Sequence, residues 1–167
     1  LALPAPDFCR KIAPPAQRIA IAQDRAFAFA YPHLLQDWQS QGAEITFFSP
    51  LNDDPVPSSD FIFLPGGYPE LHAAQLAQSS TFLPSLRKAA AKTQIYGECG
   101  GYMILGDGLI DADGTRHEMA GLLRVETSFA KRKLHLGYRR LNAATGPFKG
   151  AWNAHEFHYA STINAQG

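Results

Sequence analysis

The chain has 167 residues, 46% of them apolar, with 15 basic and 15 acidic side chains. That length suffices for one α/β domain with a sizeable core, and the balanced charge removes the electrostatic case for nucleic acid or an anionic membrane as partner. No apolar run approaches the ~18–20 residues of a membrane helix, residues 1–6 lack a signal-peptide pattern, and Cys9 and Cys99 form neither a CxxC nor a metal-binding spacing, so free thiols in the cytoplasm and no metal are expected.

Residues 1–17 are rich in Pro and Ala and are expected to be a linker from another domain, with Cys9 a bystander. The start without Met and the abrupt end at Ala165-Gln166-Gly167 point to a piece of a longer protein. Arg18 to Ala22 is a short apolar run, suited to the first strand of a parallel sheet. A helix is predicted from Tyr31 to Gln41, with Leu34, Leu35 and Trp38 on one face and Gly42 as its stop. Glu44 to Phe48 is the second strand, and Ser49 to Asp60, with three prolines, a loop. Phe61 to Leu64 is a third strand, running into Pro65-Gly66-Gly67-Tyr68-Pro69-Glu70. Helices are predicted over Leu71 to Gln78 and Phe82 to Lys92. This alternation implies βαβ units and a parallel sheet with helices on both faces. Functional loops in such a sheet lie beyond the carboxyl ends of its strands, where the turns at Asp24, Gly66-Gly67 and Cys99 all fall. Beyond Gly106 the spacing predicts a hairpin from Gly108 to Glu118 turning at Asp113-Gly114, then strands over Leu122–Phe129, Leu134–Leu141 and Glu156–Ile163.

The chemistry centres on Gln94 to Gly106. Ile95 and Tyr96 close a fourth strand, Cys99 follows among Gly97, Gly100 and Gly101, and Tyr102 to Leu105 begin a helix. This is a cysteine version of the nucleophile elbow. Glycines permit the strained turn and leave room for substrate, while the following helix start favours a thiolate and a developing oxyanion. The N–H groups at Gly66-Gly67 and Gly100 could bracket that oxyanion.

A cysteine nucleophile needs a base. His33 and His72 fall at helix starts, and His117 and His135 on late strands with charged neighbours, so a surface position is expected for all four. Asn153 to Tyr159 carries His155 and His158 around Glu156. Alternation puts Glu156 and His158 on one face and His155 on the other; spacing alone does not choose between the two histidines.

Four blocks carry a resemblance: Ala20-Ile21-Ala22-Gln23-Asp24 with Phe27 to Pro32; Leu64-Pro65-Gly66-Gly67-Tyr68-Pro69-Glu70-Leu71; Gly97-Glu98-Cys99-Gly100-Gly101-Tyr102-Met103; and His155-Glu156-Phe157-His158-Tyr159. In this order the chain resembles the C-terminal glutamine amidotransferase domains of the cobyrinate and cobyric acid synthases, the a,c-diamide synthase type in particular. The resemblance implies a flavodoxin-like domain over residues 18–167, truncated at its C-terminus, behind a missing N-terminal synthetase domain. It implies Cys99 as nucleophile toward L-glutamine, His158 as the catalytic histidine, and Gly67 and Gly100 as the oxyanion hole. Gly66, Tyr68 and Glu70 are candidates to contact substrate, and Glu156 to orient His158. Ammonia would pass to the synthetase domain, which uses ATP and Mg²⁺ to amidate the a and c carboxylates of a corrin. Two features depart from the pattern of the wider superfamily. The position two after the histidine, a glutamate in ordinary triad amidotransferases, is Ala160, and no Gly-x-x-x-x-Gly-Lys-Ser/Thr phosphate loop is present, so no cofactor is expected in this chain. Competing readings are a glutaminase serving another ligase, for example on a cell-wall precursor, a non-catalytic domain of the same fold, and a cysteine hydrolase.

Overall fold

A computed structural model describes residues 12–166; Cys9 and most of the predicted linker lie outside the described residues. The core is a four-stranded parallel sheet of β1 (Arg18–Ala22), β2 (Glu44–Phe48), β3 (Phe61–Leu64) and β4 (Gln94–Gly97), in the order β2-β1-β3-β4. The central strands β1 and β3 are apolar because both faces are covered. One face, with Ile19, Ile21, Phe61 and Phe63, packs on Leu35 and Trp38 of α1 (Pro32–Ser40). The other, with Ala20, Ala22, Ile62 and Leu64, packs under Leu76 of α2 (Ala73–Ala77), Phe82, Leu83 and Leu86 of α3 (Phe82–Ala90), and Ile104 of α4 (Gly100–Leu105). Helices therefore lie on both faces, as the alternation requires.

Several segments differ from the sequence expectation. The predicted helix from Leu71 opens as a 3-10 turn at Pro69–His72, and α3 stops at Ala90. Two of the three late segments are displaced or broken: β7 spans only Val125–Ser128, and the predicted Glu156–Ile163 strand is two strands, β9 (Gly150–His158) and β10 (Ser161–Ala165). The break at Tyr159-Ala160 lets the chain leave one partner for another. β9 pairs antiparallel with β8 (His135–Ala143) as a separate ribbon, whereas β10 pairs with β7. β7 lies beside β5 (Gly108–Ile110), which forms the expected hairpin with β6 (Arg116–Glu118), turning through Gly114 at φ 86°. Residues just before β1 are tied down too: Gln41 Nε2 donates to the Ile12 carbonyl, and Gln17 Nε2 to that of Gly42.

Candidate active site

Three turns meet at the carboxyl edge of the parallel sheet. Asp24, after β1, accepts from Ala26 N at 2.8 Å, Leu51 N at 2.9 Å and Ser49 Oγ at 3.0 Å, which fixes the first turn. Phe29 N donates to Gly66 O at 2.9 Å and joins it to the second. Glu98 N donates to Leu64 O at 3.0 Å and Gly101 N to Pro65 O at 3.1 Å, which joins the second to the third. Close approach needs glycine here: a Cβ at Gly67 would strike the Ala26 carbonyl, and one at Gly101 the Leu64 carbonyl.

Cys99 sits at the apex, between β4 and α4, with φ 52° and ψ −112°. A non-glycine residue at such φ stores strain, held by its surroundings. Gly66 and Gly100 flank it. A Cβ on Gly66 would lie 3.2 Å from Cys99 Cβ, and one on Gly100 would lie 3.3 Å from the Gly67 nitrogen. The Gly67 and Gly100 amides are thus neighbours, and both act on the sulfur. Cys99 is exposed toward a cavity, yet the protein around its sulfur pushes the thiol pKa up; Glu98 and Glu70 add to this, and the Gly100 and Gly67 N–H groups oppose it. The site therefore favours the thiol, so the group that takes its proton matters.

The cavity has a volume of about 600 Å³ and lies between this edge and β9. Cys99, Gly66, Glu98, Phe29 and Tyr31 line one side, and Arg139, His155, Glu156 and His158 the other. Tyr31 Oη donates to Glu98 Oε1 at 2.6 Å; burial and that carboxylate raise the Tyr31 pKa. Tyr68 and Glu70 stand on the turn after β3: Tyr68 packs edge-on against Phe29 at 5.0 Å, and burial raises the Glu70 pKa.

β9 alternates as expected, with Trp152, Ala154, Glu156 and His158 on its more covered face. His158 does not bond Cys99 among the described residues. Its Nδ1 lies 2.9 Å from Ala160 O, and its Nε2 lies 2.9 Å from Glu156 Oε1. A carbonyl and a carboxylate both accept, so each ring nitrogen faces an acceptor and neither faces Cys99. Glu156 Oε2 accepts from Arg139, and the His158 contact, first, then Arg139 hold its pKa below the usual range.

Two histidines expected at the surface are not free there. His117 bonds Asp111 at 2.8 Å with a side chain only 12% exposed, because the β5–β6 hairpin folds that carboxylate over it. His135 is half-buried and stacks on His158, ring centroids 4.7 Å apart, because the ribbon register makes the two direct partners. His33 is exposed and His72 half-buried. Besides His135, the sequence reading did not single out Tyr31, Glu98 and Arg139. Tyr31 lies within the block from Phe27 to Pro32 and Glu98 within that from Gly97 to Met103, whereas His135 and Arg139 carry no local signal of a role.

A parallel α/β sheet with a cysteine on a strained turn at its carboxyl edge fits a glutamine amidotransferase, and comparison with known proteins shows that class. Residues 18–167 match the family model described as the CobB/CobQ-like glutamine amidotransferase domain, and the chain belongs to that family. It is 56% identical over 154 residues to the hydrogenobyrinate a,c-diamide synthase of Rhizobium meliloti, covering 90% of this chain and 36% of the relative. It is 56% identical over 156 residues to the enzyme of that name from Brucella anthropi (92% and 36%) and 54% over 168 residues to that of a Sinorhizobium species (99% and 38%). The chain spans little more than a third of the length of these relatives.

Proposed function

We propose that this domain hydrolyses glutamine through Cys99 and supplies ammonia to a hydrogenobyrinate or cobyrinate a,c-diamide synthase of which it is one part. The carrying observation is the sulfur on its strained turn, beside the Gly67 and Gly100 amides, across one cavity from His158. His158, neutral with Nδ1–H on Ala160 O, turns Nε2 from Glu156 to Cys99 and takes the thiol proton there. The thiolate adds to the side-chain carbonyl carbon of glutamine, and the Gly67 and Gly100 N–H groups hold the oxyanion. Collapse expels the nitrogen with the proton from His158, giving ammonia and a glutamyl thioester. Water then attacks the thioester, releasing glutamate and returning the proton to sulfur. The Ala160 carbonyl orients the ring through Nδ1–H, where a triad carboxylate would act, and Glu156, near Nε2, stabilises the imidazolium that forms. Gly66 borders the glutamine site, and Glu70, outside the cavity lining but close enough for its charge to act on Cys99, suits the substrate's α-ammonium, with Tyr68 beside it on the same turn.

The relatives' names supply the acceptor proposed for the whole protein, with the a and c carboxylates as the groups amidated. ATP and Mg²⁺ would serve that amidation in a separate synthetase domain of the longer polypeptide; these residues contain no phosphate loop to hold them. Among the described residues no helix is long and apolar enough to cross a membrane, and we place the reaction in the cytoplasm, where glutamine and ATP are supplied. The test uses the full-length protein with glutamine or ammonium as nitrogen source and hydrogenobyrinate or cobyrinate as acceptor. Cys99→Ala is expected to lose glutamine-dependent amidation and keep ammonium-dependent amidation. Equal loss of both, or glutamine use by the variant, overturns the proposal.

A further inference from the structure

We propose that His135, Glu156 and His158 form a binding site for a zinc-class divalent cation, and that an ion bound there withdraws His158 from Cys99. The second part rests on the role given to His158 above; the first does not.

One donor atom from each residue lies within 4.8 Å of the other two. Two imidazoles and a carboxylate are a zinc ligand set. Around a tetrahedral ion bound at ~2.0 Å such donors sit about 3.3 Å apart, so rotation of the side chains, that of the His135 ring most, closes the site. The backbone supplies the juxtaposition: His135 on β8 is the register partner of His158 on β9, and Glu156 shares the face of His158.

The outer contacts of two ligands are already made. The Ala160 carbonyl holds His158 Nδ1, which leaves Nε2 for an ion, and Arg139 holds Glu156 Oε2, which leaves Oε1. Metal-bound histidines commonly give their second N–H to a carbonyl, and ligating carboxylates are themselves hydrogen-bonded. The His135 imidazole makes no hydrogen bond among the described residues, so the ring can turn. It has to: the rings stack at an interplanar angle of 12°, and stacked rings aim their lone pairs side by side rather than at one point. An ion bound there takes the place between His158 Nε2 and Glu156 Oε1, which now face each other at 2.9 Å. The His158 and Glu156 side chains, 31% and 29% exposed, line the Cys99 cavity, so an ion can enter from it.

The test titrates the full-length protein, freed of metal by a chelator, with Zn²⁺ against a chromophoric chelator and with Co²⁺ by its absorption. His135→Phe keeps a stacked ring and removes the donor. It is expected to bind one Zn²⁺ fewer per chain at wild-type saturation, or to bind it at least ~10-fold more weakly. Cys99→Ala is expected to bind as wild type. Zn²⁺ should inhibit wild-type glutamine hydrolysis reversibly, whereas His135→Phe should hydrolyse glutamine normally and resist the ion. Melting curves establish that each variant folds, with His135→Gln replacing a Phe variant that does not. Unchanged binding in the His135 variant, or binding lost with Cys99→Ala, overturns the site. Zn²⁺ bound through His135 without loss of hydrolysis overturns the role of His158 and leaves the site standing.

Discussion

Glu156 Oε1 lies 2.9 Å from His158 Nε2, two residues along the same face of β9, while the Ala160 carbonyl holds the opposite nitrogen. Side chains two apart on a strand usually run alongside each other; here the chain leaves the ribbon immediately after His158, and the ring is held between its own neighbours. In the full-length protein His158→Ala should lower glutamine-dependent amidation by about 10²–10⁴-fold and spare ammonium-dependent amidation. Glu156→Gln should cost less, and His155→Ala least, since His155 lines the cavity from the alternate, more exposed positions of β9. A larger loss with His155→Ala than with His158→Ala would reverse the assignment.

Cys99 should react as a high-pKa thiol in the free protein. Burial, Glu98 and Glu70 all disfavour the thiolate, so the rate of alkylation of Cys99 by iodoacetamide should rise with a midpoint above the ordinary thiol value. Glu98→Gln should move the midpoint down. A midpoint below the ordinary value in wild type would contradict the sign.

The backbone at Cys99 predicts a trade between stability and activity. With φ at 52°, glycine relieves strain that alanine retains, so Cys99→Gly should be more stable than Cys99→Ala by about 1 kcal/mol. Both should be inactive with glutamine. Denaturant unfolding of the pair measures the difference.

Gly101→Ala should act on folding rather than chemistry. The added methyl meets the Leu64 carbonyl where α4 crosses β3, and neither backbone can give way without displacing the Cys99 turn. A loss of about 1–3 kcal/mol is expected, together with loss of glutamine hydrolysis.

Asp53 supplies a pH-dependent contribution to stability away from the site. Its carboxylate accepts from the N–H groups of Ser80, Thr81 and Phe82 at the start of α3, and these bonds, led by that of Phe82, depress its pKa from 3.8 to about 2. A depressed carboxyl stabilises fully above its unfolded value and loses that contribution as pH falls toward the folded one. The gap in Tm between wild type and Asp53→Ala should therefore be constant at neutral pH and shrink between about pH 4 and pH 2.

The sequence by itself determined the parallel sheet and the reactive turn. β1, β2 and β3 lie at the bounds read from their apolar runs: Gly42 and Pro50 bracket β2, Pro65 follows β3, and burial on both faces of β1 and β3 admits little else. The Gly-Glu-Cys-Gly-Gly turn was legible because close backbone approach requires glycine, and the Glu156–His158 pairing of faces because strand alternation is local. Tertiary structure alone decided where the ribbon goes. β8 and β9 are largely exposed and carry a weak apolar pattern, so neither the start of β9 at Gly150 nor the break after His158 had a local mark. Register sets which residues meet across the ribbon. That register stacks His135 on His158, and the folding of the ribbon brings Arg139 to Glu156, through contacts between residues 17 or more positions apart that no local periodicity encodes.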